Sequence, residues 1–200
     1  MVKLYGDDIS GNCYKARLML SLLNLDYEWI NIDLTSGAHK SPEYLAMNPF
    51  GQVPLLIDGT TQLPDSQAIL VYLARQYGGE SWLPIEPLPM AQVIRWLSIA
   101  AGEVNQGPAS ARLHYLFGPR MNINIDRATQ KSEFILNQLE QHFSQRTWLE
   151  FERPTIADVA VFPYVALARE GKINLDAYPQ VLAWIDRVKQ LPGYIPMVGV

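Results

Sequence analysis

The sequence predicts an α/β first part followed by an all-α second part, and three observations lead there. Strand-like and helix-like patterns alternate from residue 2 to about residue 77. From about residue 90 onward no convincing strand pattern occurs, and apolar residues recur at helical spacing. Between them stand Pro84, Pro87 and Pro89, a stiff stretch that cannot join the flanking helices into one. The expected division is an α/β unit over 1–80, a linker over 81–89 and a helical unit over 90–200.

The elements follow in order. Val2-Lys3-Leu4-Tyr5 alternates and is stopped by the polar turn Gly6-Asp7-Asp8. From Tyr14 to Leu25, Ala16, Leu18, Met19, Leu20, Leu22 and Leu23 read as a buried helix. Tyr27 to Ile32, rich in aromatic and β-branched residues, reads as a second strand. Ser41 and Pro42 are suited to cap and open a short helix through Met47. Val53 to Ile57, the turn Asp58-Gly59, and Thr61 to Leu63 form a hairpin, and Ser66 to Tyr77 a helix. In the second part a helix runs from about Met90, with a break or bend expected at Gly107-Pro108. Ile135, Leu136, Leu139 and Phe143 form an apolar helical stripe. Thr155 and Asp158 make a capping box, and Val181, Trp184, Ile185 and Val188 mark a last amphipathic helix.

Composition excludes several classes. Apolar residues make up 48% and charged residues 18%, the proportions of a globular chain rather than a disordered one. Residues 1–84 carry five Lys/Arg against nine Asp/Glu, and residues 85–200 carry eleven of each. No basic stripe exists, so neither nucleic acid nor an anionic membrane is an expected partner. No apolar run is long enough to span a bilayer, and no basic segment precedes an apolar one at the start, so a soluble chain without a signal peptide is expected. Cys13 is the single cysteine, which leaves no internal disulfide and no cysteine-rich metal site and suits a reducing cytoplasm.

Three constellations carry candidate chemistry. Asn48-Pro49-Phe50-Gly51-Gln52-Val53-Pro54 places a proline at the start of a strand, where it cannot donate a ladder hydrogen bond. A cis bond there turns the amide and carbonyl of Val53 outward, free to pair with an extended peptide, although an edge-strand proline after a loop accounts for the same residues. Asp65 and Ser66 precede a helix. Capping explains them, and so does an amino-acid site in which the helix N-terminus takes a carboxylate and Asp65 an ammonium. Ser10-Gly11-Asn12-Cys13 sets hydroxyl, amide and thiol groups where the first strand's loop enters the first helix. Its Ser10-x-x-Cys13 spacing is that of a redox Cys-x-x-Cys with the first cysteine replaced, or simply of a cap followed by a buried cysteine.

Together, in this order, the motifs resemble the glutathione transferase family across nearly the whole chain: Asn48 to Pro54, Asp65-Ser66, the proline-rich linker, and Thr155-Ile156-Ala157-Asp158. Gly37 to Pro42 also looks like the phi-class segment before the same turn. The resemblance implies a thioredoxin-like first domain, an all-α second domain and a homodimer, with Phe50 at the partner subunit. It implies no cofactor and no metal, glutathione as co-substrate, and a small hydrophobic electrophile as the other substrate. Val53 beside a cis Pro54 would pair with the cysteinyl part of glutathione, and Asp65 and Ser66 would hold the γ-glutamyl end. His39, Lys40 and Gln52 would lie near the glycyl end. The family more often has Glu or Gln where this chain has Asp65. Ser10 occupies the place of the hydroxyl that serine-type members aim at the sulfur, with Asn12 as a second donor as in some bacterial members. Cys13 falls three positions later, and Tyr5 lies close to where tyrosine-type members place theirs. Arg112, Tyr115 and Phe117 are candidates for the electrophile cleft. The implied activity is conjugation of glutathione thiolate to hydrophobic electrophiles. The alternatives are glutathione-dependent disulfide exchange, through bound glutathione or Cys13, and a non-catalytic glutathione-binding protein.

Overall fold

Alternation along the first strand fixes where the sheet lies. In β1 (Val2–Gly6) residues Val2, Leu4 and Gly6 are buried while Lys3 and Tyr5 are half-buried, the period of a strand with one covered face. The structure, a computed structural model, describes residues 1–199. β1 pairs in parallel with β2 (Tyr27–Asn31) and antiparallel with β3 (Leu55–Asp58), and β4 (Thr61–Pro64) closes the order β2-β1-β3-β4. Leu4 therefore lies opposite Trp29 on one side and Leu56 on the other. On the exposed side the register partners Lys3 and Glu28 form a salt bridge at 3.3 Å.

The helices of this part are α1 (Gly11–Leu22), α2 (Pro42–Met47) and α3 (Ser66–Leu73). Ser41 caps α2 by accepting from the Tyr44 amide at 3.2 Å, with Pro42 opening the helix as the sequence predicts. α1 starts three residues earlier than its apolar run indicates. The reason is that its start is set by the Ser10 cap rather than by where the large side chains begin. α3 ends at Leu73, and a wider π-helical turn carries the chain over Ala74–Gly78.

The second part consists of α4 (Pro87–Ile99), α5 (Ser110–Phe117), α6 (Ile125–Phe143), α7 (Ile156–Ala166) and α8 (Pro179–Lys189). Two expectations are corrected. Pro87 and Pro89 belong to the first turn of α4 and not to a linker, since a first-turn residue has no intrahelical use for the amide hydrogen proline lacks. Of the break or bend expected at Gly107-Pro108, the break does not occur: a π-helical stretch over Ala100–Ala109 keeps α4 and α5 continuous. Widening accommodates the missing Pro108 donor. Gly107 is required there, since a Cβ would lie 2.8 Å from the Ser132 amide nitrogen of α6.

α7 is the keystone of the packing. Every residue from Ile156 to Val165 is buried, as expected for a helix that is apolar all round. It packs against α1 and α3 on one side and α4 and α8 on the other, so one continuous core runs from Leu4 and Leu18 through Phe162 to Trp184. The capping box is formed: Asp158 accepts from the Thr155 amide at 3.0 Å while Thr155 Oγ1 accepts from the Ala157 amide at 3.2 Å. Asp158 also accepts from the Leu149 amide at 3.1 Å and Trp184 Nε1 at 3.0 Å, which ties three segments to one carboxylate. No helix among the described residues is long and apolar enough to cross a membrane.

Candidate glutathione site

Three chain turns meet at one end of the sheet. The first joins β1 to α1. Asp7 stiffens it, with Oδ1 accepting from the Ile9 amide at 2.9 Å and Oδ2 from the Leu34 amide at 3.1 Å. From the helical part, Arg112 Nη1 donates to the Ile9 carbonyl at 2.8 Å, and the same guanidinium pairs with Glu170. Gly11 allows α7 to approach, since a Cβ would meet Tyr164 Cε1 at 2.7 Å. Ser10 is the N-cap of α1, its Oγ accepting from the Cys13 amide at 3.3 Å. That bond uses a lone pair and leaves the hydroxyl proton free to be donated.

The second turn precedes β3. The Val53-Pro54 bond is cis. The Gln52 carbonyl is held by Tyr44 Oη at 2.8 Å and Asn48 Nδ2 at 2.7 Å, and Lys40 Nζ donates to the Gly51 and Phe50 carbonyls at 2.8 and 3.1 Å. The third turn enters α3. Asp65 caps it, Oδ1 accepting from the Gln67 and Ala68 amides, both at 2.9 Å. Its backbone has φ +79°, a region that side chains other than glycine enter at a cost of about 1–3 kcal/mol and that clusters at functional sites. The second Asp65 oxygen is left for another donor.

A cavity of about 450 Å³ lies between these turns. Of the residues singled out from sequence, Ser10, Asn12, His39, Lys40, Gln52, Val53, Asp65 and Ser66 line it. Pro54 lines an adjoining cavity of about 260 Å³ together with Asn12, Gln52, Val53, Asp65 and Ser66. Burial, and then the neighbouring Lys40 charge, push the His39 imidazole below its usual range, so it is neutral near pH 7. The cavity thus offers cationic groups, one free carboxylate oxygen and two helix N-termini, which suits a ligand carrying both an ammonium and carboxylates.

Cys13 is not brought to the cavity. Its side chain is fully buried and points back at the sheet, where it accepts from the Asp7 amide at 3.4 Å. A Cβ on Gly6 would lie 2.7 Å from its Sγ. Burial pushes the thiol up to about 12, the opposite of what a nucleophile requires, so the redox role for Cys13 is set aside. Tyr5 stays within β1, opposite Ile30 and Leu55. The cleft assignments in the helical part are also corrected. Arg112 is buried in its bonds to Ile9 and Glu170, and Tyr115 is exposed beneath Lys172, so neither they nor Phe117 line either cavity. Ala100, Ala101 and Asn105 of the π-helical stretch line it instead.

Lys15 and Gln67, which stand within the Ser10 and Asp65 segments but are given no role from sequence, also line the cavity. The signal for Lys15 was present: a lysine one helical turn beyond Asn12, at the head of a mainly apolar run.

The fold is that of a glutathione-handling protein, and comparison with known proteins places the chain. Residues 4–81 match the family model "Glutathione S-transferase, N-terminal domain" and residues 112–192 the corresponding C-terminal domain. A crystal structure of a glutathione S-transferase from Pseudomonas fluorescens superposes with a TM-score of 0.91 at 36% identity, covering 98% of each chain. Glutathione S-transferase 3 of Zea mays is 29% identical, over 96% of this chain and 91% of its own. The disulfide-bond oxidoreductase YfcG of Escherichia coli is also 29% identical, over 91% and 87%. The chain belongs to the glutathione S-transferase family.

Proposed function

We propose that the protein binds glutathione in the cavity between the three turns, ionises its thiol and transfers it to small hydrophobic electrophiles. The observation that carries this reading is the convergence of Ser10, Val53 and the Asp65-Ser66 pair on one cavity from three separate turns. Asp65 takes the γ-glutamyl ammonium with its free oxygen and Ser66 the carboxylate. Val53 pairs with the cysteinyl backbone, and His39, Lys40 and Gln52 face the glycyl end. Ser10 donates its hydroxyl proton to the sulfur, with Asn12 beside it.

The energetics suffice. A thiol has a pKa of about 8.5, and lowering it by ~2 units takes roughly 2.7 kcal/mol of preference for the anion. A hydrogen bond to a charged group supplies about 1.5–3 kcal/mol and a helix N-terminus about 0.3–1. The thiolate then attacks the electrophile, the new bond forming to sulfur as the leaving group or π-electron pair departs. Ala100, Ala101 and Asn105 supply the helical wall beside the sulfur end.

A second reading, disulfide exchange through bound glutathione, is favoured by the likeness to YfcG. Its route is a mixed disulfide on glutathione itself, because Cys13 is buried. Phe50, 76% exposed, is the residue we assign to a homodimer contact. The natural setting for these activities is detoxification in a reducing cytoplasm. Initial rates with an aryl halide, an isothiocyanate, a peroxide and a small disulfide, measured side by side, test the proposal. Turnover of an electrophile that drops at least tenfold in Ser10→Ala is expected, and absence of turnover with all four would leave a binding protein.

A further inference from the structure

Lys15 is a buried charge without an ion pair among the described residues. Lysine is almost never fully buried without a partner, yet Lys15 is 1% exposed and forms no ion pair within 4.0 Å among the described residues. Its Nζ donates to Asn12 Oδ1 at 2.9 Å and stands 5.4 Å from the centre of the Tyr164 ring. Burial pushes its ammonium down to about 7, with the Asp65 carboxylate opposing. The groups around it from other elements do not neutralise it. Asp65, at the start of α3, uses Oδ1 for its cap and forms no ion pair with Lys15, and on the glutathione reading its other oxygen takes the γ-glutamyl ammonium. Tyr164, from α7, is held protonated, pushed up to about 12 by burial. Lys40 and a neutral His39 sit on the same cavity, and the π-helical stretch contributes Ala100, Ala101 and Asn105, all uncharged. What Lys15 lacks is an anion, and the cavity it lines is where one would come from.

We infer that Lys15 is a positioning residue for the thiolate, fixing the Asn12 amide beside Ser10 and placing a positive charge at the sulfur end of the cavity. The inference rests on the glutathione reading above. The bond to Lys15 takes up Asn12 Oδ1 and leaves Nδ2, the donor, for the ligand. A charged donor at Oδ1 also polarises the amide and strengthens that donor. When the thiol ionises, its S–H bond breaks and the proton passes to solvent. The sulfur anion remains facing the Ser10 hydroxyl and Asn12 Nδ2, with the Lys15 charge behind the amide. The anion in turn holds Lys15 protonated, so the two charges support one another.

The test is titration of glutathione bound to the purified chain, followed by ultraviolet thiolate absorbance, with calorimetric affinity measured alongside. Wild type, Lys15→Met, Lys15→Arg, Asn12→Ala and the Lys15→Met/Asn12→Ala double variant are compared. Lys15→Met should raise the bound-thiol pKa by about one unit, lowering the thiolate fraction near neutral pH by about threefold, while affinity changes less than about threefold. Lys15→Arg should recover part of the shift. The double variant should fall short of the sum of the single effects, since part of what Lys15 does passes through the Asn12 amide. A bound-thiol pKa unchanged in Lys15→Met, or effects that add in the double variant, would overturn the inference and leave the glutathione assignment standing. Failure of the wild type to bind glutathione would overturn both. Should Lys15→Met not fold, Asn12→Ala and Lys15→Arg decide: an unshifted thiol pKa in Asn12→Ala removes the amide through which Lys15 is held to act.

Discussion

Lys15 and Asp158 are both charged side chains removed from water, one at the N-terminal end of α1 and the other at that of α7, and their surroundings could hardly differ more. Asp158 accepts from the Leu149 and Thr155 amides, from Trp184 Nε1 and more distantly from Thr155 Oγ1 at 3.4 Å. Lys15 has one protein oxygen, a ring face and a cavity. A buried charge surrounded by fixed dipoles organises the fold. One left short of partners beside a cavity is a cost to the fold that a ligand can offset. The same contrast appears in the backbone, where Asp65 is held at positive φ beside the cavity while Thr155 caps α7 from an ordinary extended conformation.

The largest expected effect lies on the fold side. Asp158→Ala leaves two buried amides and an indole N–H without partners, and at the lower end of the cost of such groups, about 1–1.5 kcal/mol each, the loss should total roughly 3–5 kcal/mol. In a chain of this size that lowers the melting temperature by about 10 °C or more. Glutathione affinity measured well below the transition should remain near wild type. A variant that melts normally would break the contrast at its structural end.

Next comes Asp65→Asn. Asparagine retains a capping oxygen and tolerates positive φ, so melting should shift little. Loss of the charge should weaken glutathione binding by about 1.5–3 kcal/mol, roughly ten- to a hundredfold in affinity by calorimetry. Unchanged affinity would return Asp65 to capping alone.

Which of these features the sequence discloses depends on how local they are. Thr155 with Asp158, Ser41 with Pro42, and Asp65 with Ser66 each act within one helical turn, and all are readable as caps before any fold is known. The first strand is readable because period two survives in Val2 to Gly6, and the third because Leu55, Leu56 and Ile57 form a short apolar run ended by the Asp58-Gly59 turn. Arg112 is misread as a cleft residue because its partner, the Ile9 carbonyl, is 103 positions away. The second wall of the cavity is missed for a related reason. Ala100, Ala101 and Asn105 carry no chemistry of their own, and only the π-helical course of the chain past the sheet end gives them a role. Lys15 looks like a stray charge in an apolar helix until Asn12, Tyr164 and the cavity are placed around it.

Lys15→Met sharpens the comparison from the other side, as a gain in stability. The folded chain holds Lys15 at about 7 against 10.5 for an ordinary lysine, so burying the ammonium costs most below pH 7. The cost shrinks as pH rises from about 7 toward 10.5, because the folded protein no longer carries the proton. The variant should therefore melt higher than wild type at pH 6, by the equivalent of about 1–3 kcal/mol, with the advantage narrowing by pH 9. An advantage that grew with pH would contradict the sign. The smallest effect is expected of Cys13→Ala. Its thiol is a packing group, so conjugation should stay within about twofold while stability falls by about 1 kcal/mol. Loss of disulfide exchange in that variant would restore Cys13 as a reacting group.

Most direct of all is the pKa of glutathione bound to the wild type and to Ser10→Ala, read from thiolate absorbance across pH. The wild type should hold the thiol about 2 units below the ~8.5 of a free thiol, and Ser10→Ala should recover one to two of those units with affinity nearly unchanged. A bound thiol that titrates alike in both proteins would contradict the claim that this cavity ionises glutathione through Ser10.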